Sequence, residues 1–416
     1  MRKRKPFGFP AKVSYSKGRL KNFQVFPYLL TIYCVFRRLY ATDTRPYGGS
    51  ALPRRRFVMK KLLQRLRTRL RRLLGKNART VWISHPLFRE HHPGGGHPDS
   101  PERIAAIETA LKSEDIWRHL QTAEAEEISD ARLALVHRRS YLSFLESNQP
   151  APGKIYRIDD DTVMSHDSLK AARFAAGAVV QAVDMVMKKK AWHAFCAVRP
   201  PGHHAQSGRA GGFCLLNNAA AGIMHAIAEY RLQRVAVIDF DVHHGDGTTE
   251  IFQNDPRILM LDLYETDLFP FPDFDSRARN PDMVHTPFSA GADSRSFRRT
   301  VRTRWLPKLA AFQPELVVLC AGFDAHRQDE TGRLNLHEAD FAWLTHKIIQ
   351  TASSCPGRIV SVLEGGYTPA SLAKSAAAHI RVLAGLPKAA YAQAYDDTLR
   401  GKKHRPLRQY LRSDKA

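Results

Sequence analysis

The 416-residue sequence predicts an α/β protein built on one doubly wound parallel sheet, and three observations carry that prediction. Short, continuously apolar runs recur from residue 80 onward, as strands buried on both faces require. Each is separated from the next by a longer segment of helical periodicity, and strand–helix–strand repetition means parallel pairing. Finally, the residues just after several apolar runs are Gly, His, Asp, Glu and Tyr, and such sheets collect their ligands at the carboxyl ends of the strands.

Taken in order, the expected strands are Val81–Ser84, Ala194–Val198, Arg234–Phe240, Ile258–Tyr264, Leu316–Ala321 and Ile359–Leu363. The expected helices are Pro101–Leu111 behind a Ser100 cap, Ser168–Lys189, Leu216–Tyr230, a Trp305-centred segment, His337–Thr351 and Ala370–Leu383. The α/β body spans 80–388, a length that suits one large domain. It is preceded by a basic extension, 1–79, and followed by a basic tail, 389–416.

Charge separates these parts. The formal net charge is +24, which by itself suggests a nucleic-acid or membrane-surface binder. The first 80 residues hold 23 of the 64 Lys and Arg and a single acid, Asp43, so that arm accounts for +22. Residues 81–399 are net −4, and the charge stops being evidence about the body's chemistry. Within the arm, Lys61–Lys76 places Leu62, Leu66, Leu70, Leu73 and Leu74 at helical spacing among arginines, predicting a basic amphipathic helix over about residues 60–76. That helix suits contact with nucleic acid or an anionic membrane, or an organelle-targeting presequence. Alternatively Met59 is the true start and most of the arm is dispensable. Five cysteines without a CxxC pair and no apolar run of membrane-spanning length predict a reducing, cytoplasmic setting.

The chemistry sits at four strand ends: Arg199–His204, Asp239–Gly247, Ala321–Asp324 and Glu364–Tyr367. Residues two apart on a strand share a face, so Asp241 and His243 can grip one ion, with Asp324 reaching it from another strand end. Three N and O ligands leave an open coordination position, as in a catalytic zinc site, although Fe2+, Co2+ or Mn2+ fit the same donors. Metal-assisted amide hydrolysis also needs a proton acceptor and a proton donor. His203 and His204 supply them, and Asp239 and Asp246 are the spare acids that orient imidazoles. Tyr367, on a Gly-Gly turn, can donate to a developing oxyanion. Gly211 and Gly212 allow close backbone approach, with Phe213 as a channel wall.

These residues lie in HPDSPERI (97–104), DDDTVMSHDSLKAARFAAGA (159–178), RPPGHHA (199–205), GGFCLLNNAA (211–220), VIDFDVHHGDGT (237–248), AGFDAH (321–326) and EGGY (364–367). Together the motifs resemble the histone deacetylase superfamily, in the class II-type and bacterial branches, whose relatives include acetoin-utilisation proteins and acetylpolyamine amidohydrolases. The resemblance implies the arginase/deacetylase fold with an eight-stranded parallel sheet. It also implies one catalytic zinc held by Asp241, His243 and Asp324, and hydrolysis of the acetyl amide of acetyl-lysine or of a small acetylated amine. His203 and His204 take the acid/base roles, Asp239 and Asp246 their carboxylate partners, and Tyr367 the carbonyl-polarising role. Gly212 and Phe213 begin the acyl-lysine tunnel, and its opposite wall is Phe269 or Phe271. A structural potassium ion beside Asp239 is implied too. The arm has no counterpart in these motifs. The same fold also carries arginase-like binuclear manganese ureohydrolases, but those require carboxylates at positions held here by Gly245 and His326. The third reading is a nucleic-acid or anionic-membrane binding protein acting through residues 1–80.

Overall fold

The computed structural model describes residues 80–271 and 280–401, which belong to one compact unit, Lys76–Ala416. The basic arm, with its expected helix at 60–76, and the chain beyond residue 401 lie outside the described residues. The strands are β1 (Thr80–Ser84), β2 (Leu120–Glu124), β3 (Ile155–Arg157), β4 (Val163–Ser165), β5 (His193–Cys196), β6 (Val235–Asp239), β7 (Ile258–Glu265), β8 (Met283–Phe288), β9 (Leu316–Ala321) and β10 (Ile359–Leu363). The helices are α1 (Glu102–Ser113), α2 (Asp130–Leu133), α3 (Arg139–Ser147), α4 (Ser168–Met187), α5 (Asn218–Tyr230) and α6 (Asp246–Phe252). They continue with α7 (Ser294–Thr300), α8 (Leu306–Phe312), α9 (Glu338–Thr351), α10 (Pro369–Leu383) and α11 (Ala390–Leu399).

Eight strands form one all-parallel sheet in the order β2-β1-β5-β10-β9-β6-β7-β8, and β3 and β4 form a separate hairpin. The inner strands are apolar at nearly every position and wholly buried, because helices pack on the sheet: α4 against β1, β5 and β10, α5 against β9, and α10 against β5. β2 and β8 are missing from the sequence-based list. They are the two edges, where exposed residues such as Gln121 and Pro287 break the continuous apolar pattern that marks a buried strand.

Two helix starts expose the local chemistry. Ser100 does not cap α1: Pro101 occupies the cap position and no side chain accepts there, since a proline-led first turn already lacks one donor. His337 does cap α9, its ring accepting from the Ala339 amide while Asp340 reaches back to the His337 amide at 2.9 Å. The Trp305-centred helix is α7 and α8 joined by a π-helical turn, Val301–Trp305, with Trp305 buried and its Nε1 donating to Thr286 Oγ1 at 3.0 Å. The tail expected from residue 389 begins instead with α11, which packs against α9. Its Asp396 is buried and paired with Arg298 and Lys388, which is why a polar, Ala-rich segment docks there. No helix among the described residues is long and apolar enough to cross a membrane, and Cys196, Cys214, Cys320 and Cys355 are all buried free thiols.

Candidate active site

The four chemistry-bearing loops follow β5, β10, β9 and β6, which are consecutive neighbours in the middle of the sheet. Register aligns their ends, with Asp239 opposite Cys320 and Leu363 opposite Ala321, so side chains distant in sequence emerge at the same end of four adjacent strands.

Asp241, His243 and Asp324 meet here, each with one donor atom within 4.8 Å of the others. His243 Nδ1 lies 2.9 Å from Asp241 Oδ1 and 3.3 Å from Asp324 Oδ2. The remaining carboxylate oxygens are fixed by backbone: Gly365 N–H donates to Asp241 Oδ2 at 2.8 Å and Val242 N–H to Asp324 Oδ1 at 2.8 Å. Asp324 Oδ2 is buried with no hydrogen-bond partner, an arrangement that favours a cation. Close approach requires glycine at 365, where a Cβ would stand 1.9 Å from Asp324 Oδ2 and 2.4 Å from Asp241 Oδ2. Burial disfavours charge on His243, but the two carboxylates outweigh it and hold the imidazole up at about 10, so a positive charge is favoured at this point. The donor set therefore fits a divalent metal.

A second cluster, His244, Asp262 and His285, also brings three donor atoms within 4.8 Å of one another. His244 Nδ1 lies only 2.6 Å from Asp262 Oδ2, with His285 Nδ1 at 3.2 Å from the same oxygen. The 2.6 Å contact is a charge-assisted hydrogen bond, as is the 2.9 Å contact between His243 and Asp241.

His203 and His204 stand with ring centroids 4.0 Å apart. His203 Nδ1 pairs with Asp239 Oδ2 at 3.1 Å and His204 Nδ1 with Asp246 Oδ1 at 2.8 Å. Gln206 donates to the other oxygen of Asp246 at 2.9 Å. The two imidazoles are driven apart in basicity. Burial opposes charge on His203, yet Asp241 and Asp239 outweigh it and raise the pKa well above the ordinary value. Burial, with the neighbouring His203 charge, lowers His204 to about 4 despite Asp246.

Tyr367 sits where its amide, with that of Thr368, donates to Asp329 Oδ2 at 2.8 and 3.0 Å. Its ring lies under the Arg103 guanidinium, 4.6 Å away, and edge-on to Phe213 at 5.5 Å. Burial pushes its hydroxyl well above the usual value, so it remains a donor. Gly212, at φ +53°, and Phe213, at φ +69°, are consecutive left-handed residues. A side chain at 212 would meet His204 Cδ2 at 2.4 Å and Phe269 at 2.8 Å. Phe213 also packs against His97, 4.5 Å between centroids. Of the two aromatics offered for the other wall, Phe269 lies against His204 at 5.0 Å, whereas Phe271 is 71% exposed and outside this cluster.

Four supporting residues stand inside quoted motifs without having been assigned a role. Asp99 is buried between Arg103 and Arg199, at 2.7 and 2.8 Å, with His91 beside it at 3.4 Å. Arg103 then donates to the carbonyls of Gly366 and Glu364, tying HPDSPERI to the Tyr367 turn. Glu364 reaches the His203 loop. The signal was present as acids and arginines among prolines and glycines, but apart from the pairs of Asp99 with Arg103 and His91 the side-chain partners stand 100 or more residues away.

The two positions that argue against a binuclear cluster are also clear. A Cβ at Gly245 would lie 2.5 Å from Asp239 Oδ2, and His326 turns to Glu338 at 3.3 Å.

Residues 97–383 match the model described as the histone deacetylase domain. Over 336 residues the chain is 33% identical to the type-2 histone deacetylase 2 of Dictyostelium discoideum, covering 70% of this chain and 20% of that protein. It is 32% identical over 316 residues to the histone deacetylase-like amidohydrolase of Pseudomonas aeruginosa, covering 74% and 80%. Against the mouse polyamine deacetylase HDAC10 it is 34% identical over 307 residues, covering 70% of this chain and 45% of that one. Among solved structures, the crystal structure of the HDA15 HD domain superposes with a TM-score of 0.69 at 30% identity, over 74% of this chain and 91% of that one. With an all-parallel eight-stranded sheet and these matches, the chain belongs to the histone deacetylase family.

Proposed function

We propose that the protein is a zinc-dependent deacetylase that hydrolyses the acetyl amide of acetyl-lysine or of a small acetylated amine. The observation that carries this reading is the buried Asp241–His243–Asp324 donor set beside two carboxylate-backed histidines of opposite basicity. Those three residues would hold the ion, which when bound lowers the pKa of a water and polarises the amide carbonyl. His204 is the proton acceptor: Nδ1–H is committed to Asp246, so Nε2 is unprotonated and open near neutral pH. His203, favoured in its charged form by Asp239 and Asp241, supplies positive charge and a proton beside the reacting amide. Tyr367 donates its hydroxyl to the carbonyl oxygen as negative charge develops there. Phe213 and Phe269 give an apolar passage that suits the methylene chain of a lysine or polyamine and excludes water around the acetyl group.

Relatives named for histones, for polyamines and for amidohydrolysis support the acetylated-amine class without choosing within it. The test is acetate release by the zinc-loaded full chain from an acetyl-lysine peptide, acetylputrescine and acetylspermidine. Asp241→Ala is expected to lose both metal and activity. Tyr367→Phe is expected to keep the metal while kcat falls by about 10²–10³-fold, as for loss of one oxyanion donor. Full activity in either variant overturns the mechanism.

A further inference from the structure

His203 is delivered by a segment that cannot pin itself. Pro200 and Pro201 have no backbone N–H, so the first donors available after Arg199 are those of Gly202 and His203. Both go to one acceptor: Glu364 Oε2 takes the Gly202 N–H at 2.7 Å and the His203 N–H at 3.1 Å. Glu364 is fully buried and follows β10, next to the strand that leads into the His203 loop. It is held at both backbone ends, its N–H donating to Ala321 O at 3.1 Å and its carbonyl accepting from Arg103. Its other carboxyl oxygen, Oε1, is buried without a partner, and burial pushes the group up to about 7. A carboxyl kept in so unfavourable a place is a poor filler, and the service it renders is to the two amides.

We propose that Glu364 is a positioning residue for the reaction, acting through the Gly202 and His203 amides to hold the His203 imidazole against Asp239. This rests on the deacetylase reading for its kinetic consequence, but the geometry it asserts is independent of substrate. Glu364 spans two loops, so it also couples the His203 backbone to the turn that carries Tyr367, three residues further on.

The test uses the zinc-loaded full chain and three variants: Glu364→Ala, Glu364→Gln and Glu364→Asp. Each is assayed for zinc content, thermal unfolding, kcat and KM on an acetyl-lysine peptide. Each is also examined for the downfield imidazole N–H resonance of the His203–Asp239 hydrogen bond, assigned by its absence in His203→Gln. Alanine leaves both amides without an acceptor. It is expected to lower kcat by about 10- to 100-fold, the range a small misplacement produces, with KM within about twofold and one zinc retained. The downfield resonance is expected to disappear. Glutamine presents an amide oxygen at the same reach and is expected to restore most of kcat and the resonance. Aspartate, one methylene short, keeps the charge and the fold but is expected to behave as alanine, so it decides the matter if alanine does not fold. A folded, zinc-replete alanine or aspartate variant with kcat within about twofold of the parent and the resonance unchanged overturns the proposal. So does a glutamine variant as impaired as alanine. If the parent releases no acetate from any acetylated amine, the deacetylase reading fails, while the resonance still decides the role of Glu364.

Discussion

His137 and His379 lie outside the Asp241–His243–Asp324 set and are held neutral by burial. His379 lies between Thr345 Oγ1 at 2.6 Å and Ser361 Oγ at 2.9 Å, with Phe195, Phe240 and Phe323 around it, and burial lowers it to about 3. His137 Nε2 accepts the Asn217 amide at 3.0 Å, so a second proton would face a donor, and burial lowers it to about 4. The unfolded chain protonates each near its ordinary value of about 6.5, and the folded one does not until far lower. Below about pH 6.5 the unfolded state therefore binds more protons, and stability is lost as pH falls. Each group contributes a slope of about 1.4 kcal/mol per pH unit in that window. Urea unfolding of His379→Gln across about pH 4 to 6 should show a shallower acid slope than the parent by about that amount. Equal slopes would mean that His379 is not held neutral.

At the scale of the element, α11 is fastened by a buried charge network rather than by an apolar face. Arg298 reaches Asp340 on α9 and Asp396 on α11, Lys388 adds 2.6 Å to Asp396, and the Tyr395 ring stacks on His337 at 4.2 Å. Removing one member of such a network leaves charge buried without its partner, at a cost of about 3 kcal/mol. Asp396→Ala should accordingly lower the unfolding free energy by about that much and speed amide exchange in 390–399, with metal content unchanged. Protection equal to the parent in that helix would show that the network does not fasten it. The same reasoning explains why α11 is hard to see in the sequence. Residues 390–399 have only Ala, Tyr and Leu for an apolar stripe, and what docks the helix is an arginine almost a hundred residues earlier.

For the whole molecule, the charge is divided by position: the first 80 residues carry +22, while residues 81–399 are net −4. Affinity that depends on phosphate neutralisation falls steeply with salt, whereas binding of a buried acetyl group does not. We expect the chain from residue 80 to 416 to keep acetate release and metal content, and to lose whatever salt-dependent retention the full chain shows on heparin or duplex DNA. Retention that survives the deletion would assign that affinity to the body, and loss of acetate release would make the arm part of the catalytic unit.

How legible the molecule is in its sequence depends on the range of the interaction involved. The six inner strands, the principal helices and the chemistry-bearing loops all follow from local pattern, because continuous apolarity and helical period are read within ten or twenty residues. The edges β2 and β8 escaped because an edge strand is half solvated and reads as a mixed segment. Within the site, strand alternation does not reach Asp241 and His243, because β6 ends at Asp239 and the bends that follow it bring the two side chains together. Phe269 and Phe271 are two residues apart and equally plausible on paper. Only a backbone that brings Phe269 to His204 and leaves Phe271 in solvent distinguishes them. Glu364 and Arg103 gain meaning from partners across the fold, and the neighbouring Asp99–Arg103 pair is joined there by Arg199.

By itself, then, the sequence determined the layer architecture, the residue types available for hydrolysis and the confinement of basicity to the arm and the tail. Strand order was decided by tertiary structure. The last strand, β10, inserts between β5 and β9, bringing four loops separated by up to 160 residues to one place. No local pattern encodes that insertion, because it is set by which strand edges and helix faces bury each other best once the whole chain is collapsed.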